Sequence, residues 1–190
     1  MRVRVRVLLL AATMLAAIPA ARADEISDAI TEAGRSWQSG DAVAARNALE
    51  EALQLLAQRA AAGLGEALPA ALPGWTAAEA ETSAATGLFG GATQASRTYR
   101  NDQEQEVRIQ FTSDNPMISQ MAMVYSNPAL AGSMGKLIRI GSQRAIQTSD
   151  QEIQMLVDNR ILVTIQGDAP LDAKLAYARA IDVAKLTSRR

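Results

Sequence analysis

Apolar positions recur at helical spacing from residue 24 and change to alternation beyond residue 75. In 24–39, Ile26, Ile30, Ala33 and Trp37 share one face of a 3.6-residue period, which predicts a helix with that face inward. Asp24, Glu25 and Asp28 fall in its first turn, where the helix dipole favours acids. Gly40 ends this helix and Asp41 is placed to cap the next. Residues 42–61 form the stronger helix, with Ala45, Leu49, Ala52, Leu53 and Leu56 as its stripe and Glu50, Glu51, Gln54 and Gln58 outside it. Gly63 and Gly65 weaken it, and Pro69 and Pro73 stop it. The reading is an antiparallel helical hairpin over 24–66, then a Pro/Ala/Leu-rich linker over 67–74.

Beyond the linker the period is two. Trp75–Thr82 reads as a weak strand and Gln94–Arg100 as a second. Glu106–Thr112 is a clear strand, with Val107, Ile109 and Phe111 on one face and Glu106, Arg108 and Gln110 on the other. Asn115-Pro116 and Asn127-Pro128 each carry the cap-then-proline signal of a helix start. Leu137–Gly141, Arg144–Thr148, Glu152–Val157 and Arg160–Gln166 are four further strands. Asp158-Asn159 has the chemistry of a two-residue hairpin loop at positive φ. A closing helix spans 170–187, with Leu171, Leu175, Ala178 and Ile181 facing inward. Consecutive strands joined by short turns are antiparallel. The fold class is therefore α+β: the hairpin, then over 75–190 an antiparallel sheet of about six to seven strands packed with two or three helices.

Two resemblances attach to this order. Gly40-Asp41, followed by Ala45 and Leu49-Glu50-Glu51-Ala52-Leu53, resembles one tetratricopeptide-type unit. Only one copy is present, where stable arrays need about three, so a plain hairpin packed on the second domain is the simpler reading. The β-β-β-α-(α)-β-β-β-β-α order over 74–190 resembles that of PsbP/Mog1-like α/β domains found in secreted bacterial proteins. The phrases Leu72-Pro73-Gly74-Trp75, Ser113-Asp114-Asn115-Pro116-Met117 and Asn127-Pro128 resemble those of uncharacterised proteobacterial periplasmic proteins. Neither resemblance carries a catalytic motif, so neither assigns a functional residue.

The N-terminus reads as an export signal over 1–23. Arg2, Arg4 and Arg6 precede an apolar run from Val7 to Ile18, and Ala21-Arg22-Ala23 fits a signal-peptidase site with cleavage before Asp24. The run is short of the ~20 residues that span a bilayer. The expectation is a periplasmic protein without a stable membrane span once the signal is removed. The whole chain has 19 basic and 20 acidic residues. Removing Arg2, Arg4, Arg6 and Arg22 leaves 15 basic against 20 acidic, a net of −5, which disfavours binding to nucleic acid or anionic lipid.

The 190 residues contain no Cys and no His. Thiol nucleophiles, disulfides, imidazole bases and histidine metal ligands are thereby excluded within the chain. Five weaker patterns remain. Ser133-Met134-Gly135-Lys136 and Ser113-Asp114-Asn115 match two motifs of penicillin-binding proteins. They occur in reversed order, without Lys-Thr-Gly, in a chain too short for that fold. Met117, Met121, Met123 and Met134 could hold Cu(I) through thioether sulfur, or simply fill a core. Asp168 and Asp172 flank a helix start, where acids are expected without catalysis. Arg108 and Arg139, with Gln110, Gln154, Thr164 and Gln166, share an expected polar sheet face able to bind an anion or peptide. Leu88 and Phe89, within Gly87-Leu88-Phe89-Gly90-Gly91, form a candidate partner-binding tip between two strands.

These readings point to a non-catalytic secreted protein that binds or assists another periplasmic or envelope protein, with no cofactor. Leu88, Phe89, Arg108 and Arg139 are its candidate contact residues. The rival is a periplasmic small-ligand or metal carrier, and a small serine hydrolase stands third.

Overall fold

The computed structural model describes residues 21–85 and 91–188, with side chains from Glu25 onward. Most of the expected export signal, and the tip residues Leu88 and Phe89, lie outside the described residues. Two helices come first, α1 (Ala21–Gln38) and α2 (Ala42–Ala67). They are joined through Gly40, at φ 83°, and Asp41, whose side chain accepts from the Ala44 N–H at 2.9 Å. Such a cap satisfies one of the donors that a helix start leaves open.

The chain then builds one antiparallel sheet of eight strands, ordered β1-β3-β4-β8-β7-β6-β5, with β2 also paired to β3. The strands are β1 (Trp75–Ala77), β2 (Glu81–Ala85), β3 (Ala92–Asn101), β4 (Glu106–Ser113), β5 (Lys136–Ile140), β6 (Gln143–Gln147), β7 (Ile153–Val157) and β8 (Ile161–Gln166). Helices α3 (Pro116–Ser126) and α4 (Pro128–Met134) intervene between β4 and β5, and α5 (Leu171–Ala180) and α6 (Val183–Thr187) close the chain. The architecture is the expected α+β. Two elements expected as single are divided. The first strand splits at 78–80 into β1 and β2, both pairing along β3. The closing helix splits at Ile181-Asp182, where the buried Ile181 is extended and Asp182 caps α6.

Alternation sorts the sheet into two faces. One carries Ala95, Tyr99, Val107, Ile109, Phe111, Met155 and Val163, all at most 1% exposed, and α2, α5 and α6 pack over it. Tyr177 of α5 lies at its centre, 4.4 Å from the Tyr99 ring and edge-on to Trp75 at 5.5 Å. The segment after α2 is fastened to this core. Ala67 and Leu68 are buried, the Tyr99 hydroxyl donates to the Pro69 carbonyl at 2.7 Å, and the Leu72 N–H donates to the Tyr177 hydroxyl at 3.3 Å. The opposite face is apolar only under α3 and α4, where Ile118, Tyr125 and Ala131 meet Ile146 and Leu156.

Gly167 shows why one glycine is needed. At φ +124° any Cβ there would run into the Glu106 carbonyl, because the β8–α5 loop is held against the start of β4. The Glu106 N–H donates to Asp168 Oδ1 at 2.6 Å, and the Ala169 N–H donates to the Glu106 carbonyl. Asp168 thus ties a loop to a strand. Asp172 lies in the first turn of α5, as expected.

Candidate functional site

The hairpin inverts the expected arrangement of its side chains. The residues buried between α1 and α2 are small: Ala29, Ala33 and Ser36 from one helix, Ala45, Ala48 and Ala52 from the other. Small side chains bring the helix axes close and leave no room in the seam for large ones. Of the α1 stripe expected to face inward, Ala33 does so, while Ile30 is 52% exposed and Trp37 71%. Of the α2 stripe, Ala45 and Ala52 are buried, while Leu49, Leu53 and Leu56 are 51%, 57% and 45% exposed. At about 100° per residue, both large-residue rows lie roughly a quarter-turn from the seam, in the same rotational sense. The antiparallel pairing therefore brings both rows to one side of the hairpin, as an exposed apolar flank.

That flank leads into a groove. Continuing the Leu49, Leu53, Leu56 row along α2 gives Ala60, Gly63 and Ala67, which with Leu56 line a depression of about 860 Å³. Its opposite walls are the β4–α3 junction (Ser113 to Ser119), the β7–β8 turn (Asp158 to Ile161) and the end of α6 (Leu186, Thr187). Leu64, Ile118, Ile161 and Leu186 are the buried apolar lining, and Arg59, Asp114, Asp158 and Arg160 form an exposed charged rim. Backbone geometry shapes that rim. Asp114, Asp158 and Asn159 sit at φ 57°, 52° and 52°, a region in which Asn and Asp are the most tolerated non-glycine residues. The expected two-residue loop at Asp158-Asn159 is a three-residue turn, with the Arg160 N–H donating to the Val157 carbonyl at 3.1 Å.

The groove's polar groups serve as caps and turns. The Ser113 hydroxyl donates to Asp114 at 2.8 Å, and Asn115 Oδ1 accepts from the Met117 N–H at 2.9 Å. Ser113-Asp114-Asn115 is thus a strand-to-helix junction. Ser133 lies in α4, its hydroxyl donating to the Leu130 carbonyl at 2.7 Å, and Lys136 opens β5. The methionines diverge. Met121 packs on the smaller core, while Met117, Met123 and Met134 are exposed, Met123 on the far side of α3 from that core. Among the described residues no group of three or more acidic side chains is placed to hold a metal ion.

Arg108 and Arg139 do share the polar sheet face with Gln110, Gln154, Thr164 and Gln166, as the register of β4, β8, β7, β6 and β5 requires. They are not brought together. Four strand spacings separate β4 from β5, about 19 Å at the usual interstrand distance. Arg108 Nη2 donates to Glu81 at 3.1 Å and to Ser96 at 3.0 Å. Arg139 is exposed on the edge strand, directly opposite Arg144.

A second, shallower depression of about 540 Å³ lies over β6 and β7, lined in part by Tyr125, Arg144 and Asn159. The Tyr125 hydroxyl is buried without a hydrogen-bond partner, and burial pushes its pKa up to about 12. No family model, curated protein or solved structure matches the chain.

The sequence reading missed the flank because it counted large apolar side chains as the inward stripe. The finding signal is the alanine row, Ala45, Ala48 and Ala52, which marks a close helix seam at the same spacing. The groove had a weaker signal, two polar turns with Asp or Asn at positive φ, and nothing in the sequence brings those turns beside α2.

Proposed function

We propose that the chain is an exported, non-catalytic protein that binds or assists a partner protein, and that the hairpin flank and the adjoining groove are its docking surface. One observation carries this reading. Five large apolar side chains stand 45% or more exposed on one side of a hairpin whose own seam is filled by small residues, and their row runs into an apolar-floored groove. Contiguous apolar surface of this extent marks interaction sites in folded proteins. The charged rim adds the polar border typical of a protein contact.

The rest of the reading leans on the sequence. The 1–23 signal pattern supports export to the periplasm, and Edman sequencing of the exported protein should begin at Asp24. The acidic balance after removal of that signal argues against nucleic acid as partner. Among the described residues no helix is long and apolar enough to cross a membrane.

The docking reading is tested by placing a photo-crosslinking residue at Leu53 or Arg59 in living cells, with Val43 as control. Val43 is at least as solvent-facing but lies about 110° round α2 from the centre of the leucine row and about 160° from Arg59. A defined protein adduct from the first two positions and none from the third is expected. Equal adducts at all three, or none at any, would overturn the reading.

The groove's volume favours one alternative. About 860 Å³ falls within the range of small-molecule sites, so a small-ligand carrier is the second reading. Native mass spectrometry of freshly exported protein separates the two, since a carrier retains a mass increment that denaturation removes.

A further inference from the structure

We infer that the occupant of the hairpin flank is a second copy of this chain, so that two hairpins stack face to face into a four-helix bundle. The inference rests on reading the flank as a docking surface and names its partner.

Three observations select a second copy. The first is area. The exposed parts of Ile30, Trp37, Leu49, Leu53 and Leu56 amount to roughly 500 Å² of apolar surface, at the upper end of what a monomer leaves bare. Doubled across a two-fold axis, that reaches about 1,000 Å² before any polar rim is added, the lower bound for a specific interface.

The second observation is charge. On α1 the residues Glu25, Asp28, Glu32 and Arg35 all lie on the arc turned more than about 100° away from the Ile30–Trp37 row. On α2 the Arg46–Glu50 ion pair, at 2.9 Å, borders the leucine row and leaves no net charge at that edge. Symmetric interfaces are apolar and depleted of charge at their centres, and a self-facing surface tolerates no net charge without repulsion.

The third is shape. α1 leans on α2 and on no other element to a comparable extent, and the α2 residues that enter the main core, Leu64 and Ala67, lie in its second half, so α1 and the first half of α2 form an arm. Trp37 stands beside the hairpin turn at the arm's tip. Leu56 stands at its root, where the groove begins. Ile30 and Leu49 lie at one level between them, each about ten residues from the turn. A two-fold axis through that level stacks each helix on its own counterpart and brings each Trp37 level with the other copy's Leu56 and the mouth of its groove. The same operation carries the two sheet bodies to opposite ends of the bundle, where they do not collide. A parallel stacking would put both bodies on one side and leave the groove unused.

The test uses the exported protein in light-scattering chromatography over a wide concentration range. A dimer mass is expected. Trp37→Glu and Leu53→Glu should each raise the dimer dissociation constant more than about tenfold, as charges buried at the centre of an apolar contact do. Both residues are exposed in one copy, so far-UV circular dichroism should not change. The chain has no cysteine, so single-cysteine variants report geometry directly. Ile30→Cys, near the axis, should oxidise to a covalent dimer, and Val43→Cys should not. A wild-type protein that stays monomeric at every concentration overturns the inference. So does a dimer that survives Trp37→Glu, or one that Val43→Cys links as readily as Ile30→Cys. A monomer whose Leu53 crosslinker still captures a different, defined protein overturns the dimer alone. A monomer that captures nothing overturns the docking reading as well.

Discussion

Tyr99, Tyr125 and Tyr177 are the three tyrosines of the chain, and each phenol is held above the ordinary value near 10. Burial is the main cause in all three. It lifts Tyr99 to about 12 against the pull of Arg97, lifts Tyr125 to about 12 unopposed, and raises Tyr177 despite the N–H donated by Leu72. The linkage follows from the direction of the shift. A group that stays protonated in the folded state while the unfolded chain ionises contributes stability that is whole below about pH 10. That stability is lost as pH rises through the folded value, about 12 for Tyr99 and Tyr125. Absorbance at 295 nm near pH 10 should show much less phenolate in native protein than in denaturant, where each of the three tyrosines is about half ionised. The hydroxyls separate the sites further. Tyr99 donates to Pro69, so Tyr99→Phe should cost about 1–2 kcal/mol in urea melts. The Tyr125 hydroxyl has no partner, so Tyr125→Phe should be neutral or stabilise by up to about 1 kcal/mol.

Element by element, short-range chemistry was largely legible. Asp41, Asn115 and Asn127 cap the helices that their spacing announced, because a cap bonds to backbone two or three residues away. Asn127 accepts from the Ala129 N–H at 3.0 Å and serves a helix of seven residues. Asn127→Ala should therefore cost about 1 kcal/mol, with faster amide exchange confined to α4 and its neighbours. The hairpin was legible as two helices but not as a packed pair. Periodicity fixes which residues share a face, whereas the choice between two adjacent faces belongs to the partner helix. Alanines allow the closer approach, and the leucines are displaced to the flank. The closing helix illustrates the same limit. Its break at Ile181 carries no proline or glycine, and the burial of Ile181 accompanies it.

For the molecule as a whole, the contact pattern divides α2 into two roles. Its second half, through Leu64, Ala67 and Leu68, belongs to the main core, while its first half and α1 form the arm. A chain beginning at residue 57 should keep cooperative unfolding and the near-UV signal of Trp75, Tyr99 and Tyr177. One beginning at residue 70 should lose both, because it removes three core residues and the Pro69 carbonyl that Tyr99 binds. Circular dichroism melts of the two truncations check this.

Local and short-period information lay in the sequence by itself: helix starts, the alternation that sorts the sheet into two faces, the antiparallel order, and the lack of thiol and imidazole chemistry. Arg108 and Arg139 fell on one face for that reason, since parity along each strand and short turns carry it across the sheet. Their separation by four strands, the groove assembled from α2, the β4–α3 junction, the β7–β8 turn and α6, and the outward flank of the hairpin were decided only by the tertiary structure. Each depends on contacts between segments tens of residues apart, and no residue's spacing along the chain encodes which distant surface will cover it.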